Sequence, residues 1–220
     1  MTTALPDTLV HRVRPAAGAP QGALVLMHGR GTDETDLLGF LDLLDPRRRL
    51  LGITPGGPLH LPPGGRHWYI VQRVGYPDPG TFAAGYATLS AFVDAIPQAA
   101  GVPWDRIVLG GFSQGAVMAY ALGLGPGRPR PAAIIAMSGF VPAVHGWVPD
   151  LDARRGLPVW IAHGRRDPVI GVEFGRAARD LLSAGDLEVT YDESDAAHHV
   201  DPRALAALPA WIERVVPPTA

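Results

Sequence analysis

Ser113 lies at the centre of a Gly-x-Ser-x-Gly pattern that spans residues 111–115. An apolar run at 106–110 precedes the pattern and predicts a short buried strand, while the apolar residues 116–122 predict a helix. A serine on such a sharp strand-to-helix turn, a nucleophile elbow, exposes its hydroxyl at the carboxyl end of the sheet. The flanking glycines fit this turn because Cβ atoms there would clash with the neighbouring strand and helix. Ser113 is therefore the candidate nucleophile.

A serine hydroxyl needs a base that removes its proton. His198 and His199 follow a predicted strand at 187–191 and precede the last predicted helix. Imidazole suits the task because its unperturbed pKa, about 6.5, lies near neutrality. Residue type and position do not separate these two neighbours, so one of the pair is the candidate base.

The base in turn needs a carboxylate that orients it. Asp167 directly follows the predicted strand at 157–162, which places it at the same sheet edge as the elbow. Asp192 and Asp195, in the loop before the histidines, are rivals, and an ordinary turn or helix cap is the alternative role for Asp167. The chain order serine, acid, histidine is that of α/β-hydrolases.

Two backbone N–H groups are needed to stabilise the oxyanion that forms when an ester is attacked. Gln114, directly after the nucleophile, is expected to supply one. Arg30, in the loop that follows the predicted strand at 23–27, is the candidate for the other through its backbone N–H, not its guanidinium. A plain strand-to-helix turn is the alternative for this loop. A phosphate loop is disfavoured because lysine and the Gly-x-Gly-x-x-Gly spacing are both missing.

Residues 55–80 form a long segment rich in proline and glycine, with no predicted strand or helix. A structureless segment of this length inside a compact domain is either functional or a sign that its elements are wrongly assigned. We expect a loop over the site, with Trp68 and Tyr69 as walls of the substrate pocket. The alternative is that these aromatic side chains anchor the loop to the core.

Apolar runs alternate with helical patterns along the rest of the chain, which favours a parallel sheet covered on both faces. Residues 1–220 are expected to form a single α/β domain. The predicted strands cover 9–13, 23–27, 50–54, 107–109, 132–137, 157–162 and 187–191, and the predicted helices cover 34–44, 82–96, 116–122, 172–182 and 202–216.

Composition excludes several classes of function. The formal charge of −2 gives no basic nucleic-acid footprint, and the absence of cysteine and lysine excludes thiolate and Schiff-base chemistry. The histidines show no metal-ligand spacing, and His28 and His163 are expected to be structural. No apolar run approaches the ~18 residues of a membrane span. The N-terminus has no signal-peptide pattern, so a cytoplasmic location is expected.

Four motifs occur in order: residues 26–31, 111–115, 163–169 and 197–200. Together they resemble the phospholipase/carboxylesterase family of α/β-hydrolases, which includes bacterial carboxylesterases and acyl-protein thioesterases. The resemblance implies Ser113 as nucleophile, Asp167 as acid and His198 as base, because residues 197–200 fit the family's Gly-His-x-Val/Ile frame. Ala197 and Ala116 depart from the family, since each stands where glycine is common.

The resemblance further implies an α/β-hydrolase fold without a large cap domain, acting on small to medium acyl esters. It implies no cofactor and no metal, a small-molecule substrate, and a monomer or homodimer. An acyl thioesterase or a lysophospholipase is the alternative within the family. A catalytically silent α/β-hydrolase fold that only binds ligands is the alternative of another class.

Overall fold

The computed structural model describes residues 5–219. The strands in chain order are β1 (His11–Arg14), β2 (Ala23–Met27), β3 (Leu51–Pro55), β4 (Leu59–His60), β5 (Arg66–His67), β6 (Val71–Arg73), β7 (Tyr76–Pro77), β8 (Ile107–Phe112), β9 (Ala133–Met137), β10 (Pro158–Gly164) and β11 (Glu188–Ser194). The α-helices are α1 (Leu38–Leu44), α2 (Pro79–Asp94), α3 (Ile96–Ala100), α4 (Gln114–Leu124), α5 (Val172–Ala184), α6 (Pro202–Ala206) and α7 (Leu208–Val215), and short 3-10 helices lie at Trp104–Arg106 and Asp152–Arg154.

A seven-stranded sheet forms the centre of the molecule, in the order β1-β3-β2-β8-β9-β10-β11. Only β1 runs antiparallel to its neighbour in this sheet, with His11 opposite Pro55, and the other pairs are parallel. The central strands β2 and β9 are buried at every residue. This burial is typical of parallel strands that have helices on both faces. The predicted mostly parallel sheet is confirmed.

Apolar side chains fill two cores, one on each face of the sheet. Alternation along β2 divides its side chains between them, with Val25 in one core and Leu24 in the other. Helices α2, α4 and α5 cover the first face, and α4 is buried along its whole length. Helices α1, α6 and α7 cover the second face. The predicted covering of both faces by helices is therefore also confirmed.

Three predicted helices differ from the observed ones. The helix expected at 82–96 begins earlier, at Pro79, and is divided at Ala95 into α2 and α3. The helix expected at 34–44 begins only at Leu38, because Asp33 Oδ1 accepts the Thr35 N–H at 2.8 Å and holds a turn before the helix. The helix expected at 202–216 is divided at Ala207 into α6 and α7. Pro209 explains the division, since proline lacks an N–H and favours the first turn of a new helix.

The segment 55–80 is more regular than its sequence predicts. It contains two small antiparallel hairpins, β4 with β5 and β6 with β7. Gly75 has a φ of 85° at the tip of the second hairpin, a conformation that favours glycine. Strands of two or three residues are too short for an alternating pattern, which is why the sequence did not reveal them. Within residues 5–219, no helix has the length and apolar character needed to cross a membrane.

Candidate active site

Ser113 lies between the end of β8 and the start of α4, where the chain reverses sharply. Its backbone has φ 53° and ψ −119°, a strained conformation for a residue with a Cβ atom. The two glycines of the pattern allow this turn because the backbone segments around it approach closely. A Cβ atom on Gly115 would overlap the Met27 carbonyl, and one on Gly111 would overlap the Gly115 backbone. The serine thus has the geometry of a nucleophile elbow.

His198, and not His199, reaches Ser113. The Nε2 atom of His198 lies 3.0 Å from Ser113 Oγ, and its Nδ1 atom lies 2.7 Å from Asp167 Oδ2. With the proton on Nδ1, the imidazole donates to the carboxylate and accepts the serine O–H at Nε2. The phenyl ring of Phe112 packs against the imidazole at a centroid distance of 4.9 Å. His199, the next residue, is exposed.

Asp167 is held by the loop that follows β10. Its Oδ1 atom accepts the N–H groups of Val169 and Ile170, both at 2.8 Å, and its side chain is fully buried. The Nε2 atom of His163 lies 2.8 Å from the Ile170 carbonyl oxygen, which fixes the same loop. Oδ2 therefore remains directed at His198. The rival Asp195 pairs instead with Arg165 at the surface.

Arg30 and Gln114 both border a cavity beside Ser113 and His198. Among the residues that the structure describes, neither backbone N–H donates to a protein acceptor. Unpaired N–H groups at the start of α4 and in the loop after β2 have the character of an oxyanion hole. Their position matches the prediction, and their role in stabilising an oxyanion stays a prediction.

His28 fixes the loop that carries Arg30. Its Nε2 atom accepts the Gly57 N–H at 2.8 Å, and its Nδ1 atom lies 2.6 Å from the Gly29 carbonyl oxygen. These two contacts require a neutral imidazole with its proton on Nδ1. Burial lowers the pKa of His28, which favours this neutral form.

Trp68 and Tyr69 have different positions. Trp68 is completely buried and does not border the cavity, because its indole N–H donates to the His28 carbonyl at 2.9 Å. The expectation that Trp68 forms a wall of the pocket is therefore corrected: its side chain anchors the loop, the alternative that the sequence left open. Tyr69 does border the cavity, as expected, although only 2% of it is exposed to solvent.

The Gln114 side chain has a role that sequence reasoning missed. Its Oε1 atom accepts the Trp68 N–H at 2.7 Å, and its Nε2 atom donates to the Tyr69 carbonyl at 2.8 Å. The residue after the nucleophile thus ties the segment 55–80 to the elbow. Sequence spacing carries no signal for this contact, because 46 positions separate the two partners.

The cavity has a volume of about 400 Å³. Most of its walls were not predicted, because they come from loops without periodicity. They are mainly apolar: Val71, Val74 and Pro77 from the second hairpin, Phe140 after β9, and Val169 and Ile170 after β10. Within residues 5–219, no cluster of three or more histidine, aspartate or glutamate side chains is arranged to hold a metal ion.

Comparison with known proteins points to the same class of enzyme as the geometry of the site. A model of the family described as Phospholipase/Carboxylesterase matches residues 10–216. The structure of an esterase named PE8 is 26% identical, with a TM-score of 0.82 over 94% of this chain and 99% of that one. A carboxylesterase from Bacillus cereus is 20% identical, with a TM-score of 0.81 over 94% of each chain, and this likeness concerns the fold alone.

Curated relatives carry the name acyl-protein thioesterase 1. The protein from Neurospora crassa is 37% identical over 105 residues, which are 45% of this chain and 42% of that protein. The protein from Yarrowia lipolytica is 26% identical over 180 residues, which are 76% of this chain and 79% of that protein. The match to the Emericella nidulans protein spans 51% of its length, so this chain spans about half the length of the Neurospora crassa and Emericella nidulans relatives.

Proposed function

The chain belongs to the phospholipase/carboxylesterase family, and from this premise we propose that it hydrolyses carboxylic esters through an acyl-enzyme on Ser113. The observation that carries the proposal is the continuous contact from Ser113 through His198 to the buried Asp167. This arrangement supplies a nucleophile, a base within reach of its proton, and a carboxylate that fixes the tautomer of the base.

In the first step Ser113 Oγ attacks the ester carbonyl carbon, and its proton moves to His198 Nε2. The carbonyl oxygen becomes an oxyanion, which the N–H groups of Arg30 and Gln114 stabilise. The carbon–oxygen bond to the alcohol then breaks. His198 gives its proton to the departing alcohol, and the acyl group remains on Ser113.

Water completes the reaction in the second step. It attacks the acyl carbon while His198 Nε2 takes one of its protons. The bond to Ser113 Oγ breaks, the serine recovers that proton from His198, and the acid is released. Asp167 keeps its charge throughout and stabilises the imidazolium that forms twice.

The cavity supports a substrate of limited size. Its volume of about 400 Å³ lies at the lower end of ordinary ligand pockets. Its mainly apolar walls suit a short or medium acyl chain, with Tyr69 as a substrate contact. We therefore propose small to medium acyl esters as the substrate class.

The experiment that tests the proposal is hydrolysis of 4-nitrophenyl esters from acetate to decanoate. Ser113→Ala should lose roughly 10³-fold or more of kcat/KM, because the nucleophile is removed. Ser183→Ala, an exposed serine in α5, is the matched control and should retain full turnover. Unchanged turnover in Ser113→Ala would exclude the acyl-enzyme on this residue.

Thioester hydrolysis is a second candidate, favoured by the relatives named acyl-protein thioesterase 1. Oxygen and sulfur esters of the same acyl group, octanoate, distinguish the two activities. A higher kcat/KM for the sulfur ester would move the proposal to a thioesterase. A fluorophosphonate probe that fails to label Ser113 would instead support a silent binding fold.

Assembly, location and domain count stay predictions. We propose a single domain over residues 1–220 with the segment 55–80 over the site, as a cytoplasmic monomer or homodimer. Light scattering of the purified protein measures the oligomeric state, and cell fractionation measures the location.

A further inference from the structure

Nearly all arginine side chains of this lysine-free protein have a partner. Sixteen pair with a carboxylate or donate to a carbonyl oxygen of another residue. Within residues 5–219, the three exceptions are Arg30, Arg73 and Arg166, whose guanidinium groups have no hydrogen bond or ion pair. A free guanidinium carries five unused donors and a full charge.

Two of these three side chains, Arg30 and Arg73, border the candidate active-site cavity. No aspartate or glutamate is among the residues that line it. The lining of the cavity therefore carries two arginine side chains and no carboxylate, although the protein as a whole has a formal charge of −2. Partly enclosed apolar walls strengthen this field, because they exclude water that would screen it.

Arg73 is positioned by the second hairpin of the segment 55–80. Its guanidinium carbon lies 3.7 Å from the centre of the Tyr76 ring. Stacking on an aromatic face uses the flat side of the guanidinium and leaves its in-plane N–H donors free. Such a group is suited to bind a carboxylate or phosphate oxygen.

A second recess, of about 250 Å³, meets the cavity at Ser113 and His198. Arg30 borders both spaces, whereas Arg73 borders only the larger one. Asp36 borders the smaller recess and opposes an anion there. An ester has an acyl part and an alcohol part. Two recesses that meet at the nucleophile can hold one part each. Both spaces have apolar walls, but only the larger cavity is bordered by two arginines and by no carboxylate.

We infer that the acyl part of the substrate occupies the larger cavity and carries an anionic oxygen group, carboxylate or phosphate-like, at the far end of a short apolar chain. The inference rests on the proposed function, since it specifies the substrate of the same site. Arg73 is the residue that determines this specificity, and the Arg30 side chain adds to the same field.

Three 4-nitrophenyl esters of similar length test the inference: the glutarate monoester, the 4-phosphonobutanoate ester and the neutral hexanoate. At low salt, we expect kcat/KM for at least one anionic ester to exceed that for hexanoate by roughly tenfold, the effect of one charge-assisted hydrogen bond. The better of the two identifies the group as carboxylate or phosphate-like. Because salt screens exposed charges, the preference should shrink as salt is added.

Arg73→Gln should lower the ratio of anionic to neutral kcat/KM by roughly tenfold. Arg73→Lys keeps the charge and should retain much of the ratio. Arg166→Gln, an exposed and equally free arginine outside the cavity, is the matched control and should leave the ratio unchanged. If Arg73→Gln and Arg166→Gln lower the ratio of anionic to neutral kcat/KM equally, the inference is overturned in favour of a general charge effect.

The two proposals fail in different ways. Hydrolysis of hexanoate as fast as both anionic esters overturns the anionic substrate and leaves the esterase intact. Hydrolysis of none of the three esters overturns the esterase and the inference with it.

Discussion

The proposed role of each residue around Ser113 depends on which partner its polar atoms contact. His198 has one nitrogen on Asp167 and the other on Ser113, so it can take a proton at one side while its tautomer is fixed at the other. His199 is its neighbour in sequence but is exposed, with its backbone N–H bonded to the Ala197 carbonyl. Two identical side chains therefore differ only in where the backbone directs them.

We predict that His198→Ala lowers kcat/KM for 4-nitrophenyl butyrate by roughly 10³-fold or more, because His198 is the base in contact with Ser113 Oγ within residues 5–219. His199→Ala should stay within about twofold of wild type. The measurement is initial-rate kinetics on both variants, with circular dichroism to show that both are folded. A larger loss in His199→Ala would assign the base to His199.

Gly115, like Gly111, is an elbow residue that tolerates no side chain, because a Cβ atom there would overlap the Met27 carbonyl. Gly115→Ala should lower the free energy of unfolding by about 3 kcal/mol or more. Gly39 is exposed in α1, and a Cβ atom there would meet nothing within 4 Å, so Gly39→Ala should raise stability by about 0.5–1 kcal/mol. Urea denaturation measures both, and equal midpoints would contradict the steric argument.

At the scale of elements, the site is assembled where strands end. Strand β2 leads to His28 and the Arg30 loop, β8 leads to Ser113, and β10 leads to Asp167. Parallel strands bring their carboxyl ends to one edge, which is why residues far apart in sequence meet there. The segment 55–80 is then tied to this edge through Gln114 and Trp68.

The free energy of unfolding should depend on pH through His28, which lies at the end of β2. An imidazole in the unfolded chain titrates near pH 6.5, whereas burial lowers the pKa of His28 in the folded protein. The unfolded chain therefore binds more protons just below pH 6.5, and the free energy of unfolding should fall as the pH falls through this range.

His28→Gln tests this pH dependence. The variant should be less stable by about 1–3 kcal/mol near pH 7, because glutamine does not have the imidazole geometry that serves both the Gly57 N–H and the Gly29 carbonyl. Its stability should also fall less steeply than that of wild type between about pH 6.5 and pH 5. His60→Gln, an exposed histidine, is the control. Parallel pH profiles for His28→Gln and wild type would show that His28 does not carry the effect.

At the scale of the whole molecule, the sheet is stable only with both faces covered. Helix α7 covers the second face with Leu208, Trp211 and Ile212. The Trp211 ring packs edge-on against Trp160 of β10 at 5.7 Å between centroids. The core on this face thus joins the end of the chain to the strand that leads to Asp167.

Trp211→Ala should lower the free energy of unfolding by about 3–5 kcal/mol, because it leaves a cavity in the second core. Val148→Ala, at a side chain that is 71% exposed, should change it by less than about 0.5 kcal/mol. Both values come from urea denaturation. Because Trp211 does not line the cavity, folded Trp211→Ala should keep its kcat/KM, and a large kinetic loss would contradict this expectation.

By itself the sequence determined the alternation of strands and helices, the elbow around Ser113 and the order of the candidate triad. These features can be read along the chain, because apolar periodicity, glycine spacing and residue order do not depend on contacts between distant segments. Boundaries were less accurate where a turn or a proline competed with the helical pattern, as at Asp33 and Pro209.

Only the tertiary structure decided the positions that depend on direction in space. It directed His198 rather than His199 at Ser113, buried Trp68 as an anchor, and placed the hairpin with Arg73 at the cavity. In the sequence, only the family frame at residues 197–200 favours His198. Nothing in the sequence decides the other two positions, because each depends on packing between segments dozens of residues apart. Spacing along the chain indicates which residues could react, and long-range packing determines which of them come into contact.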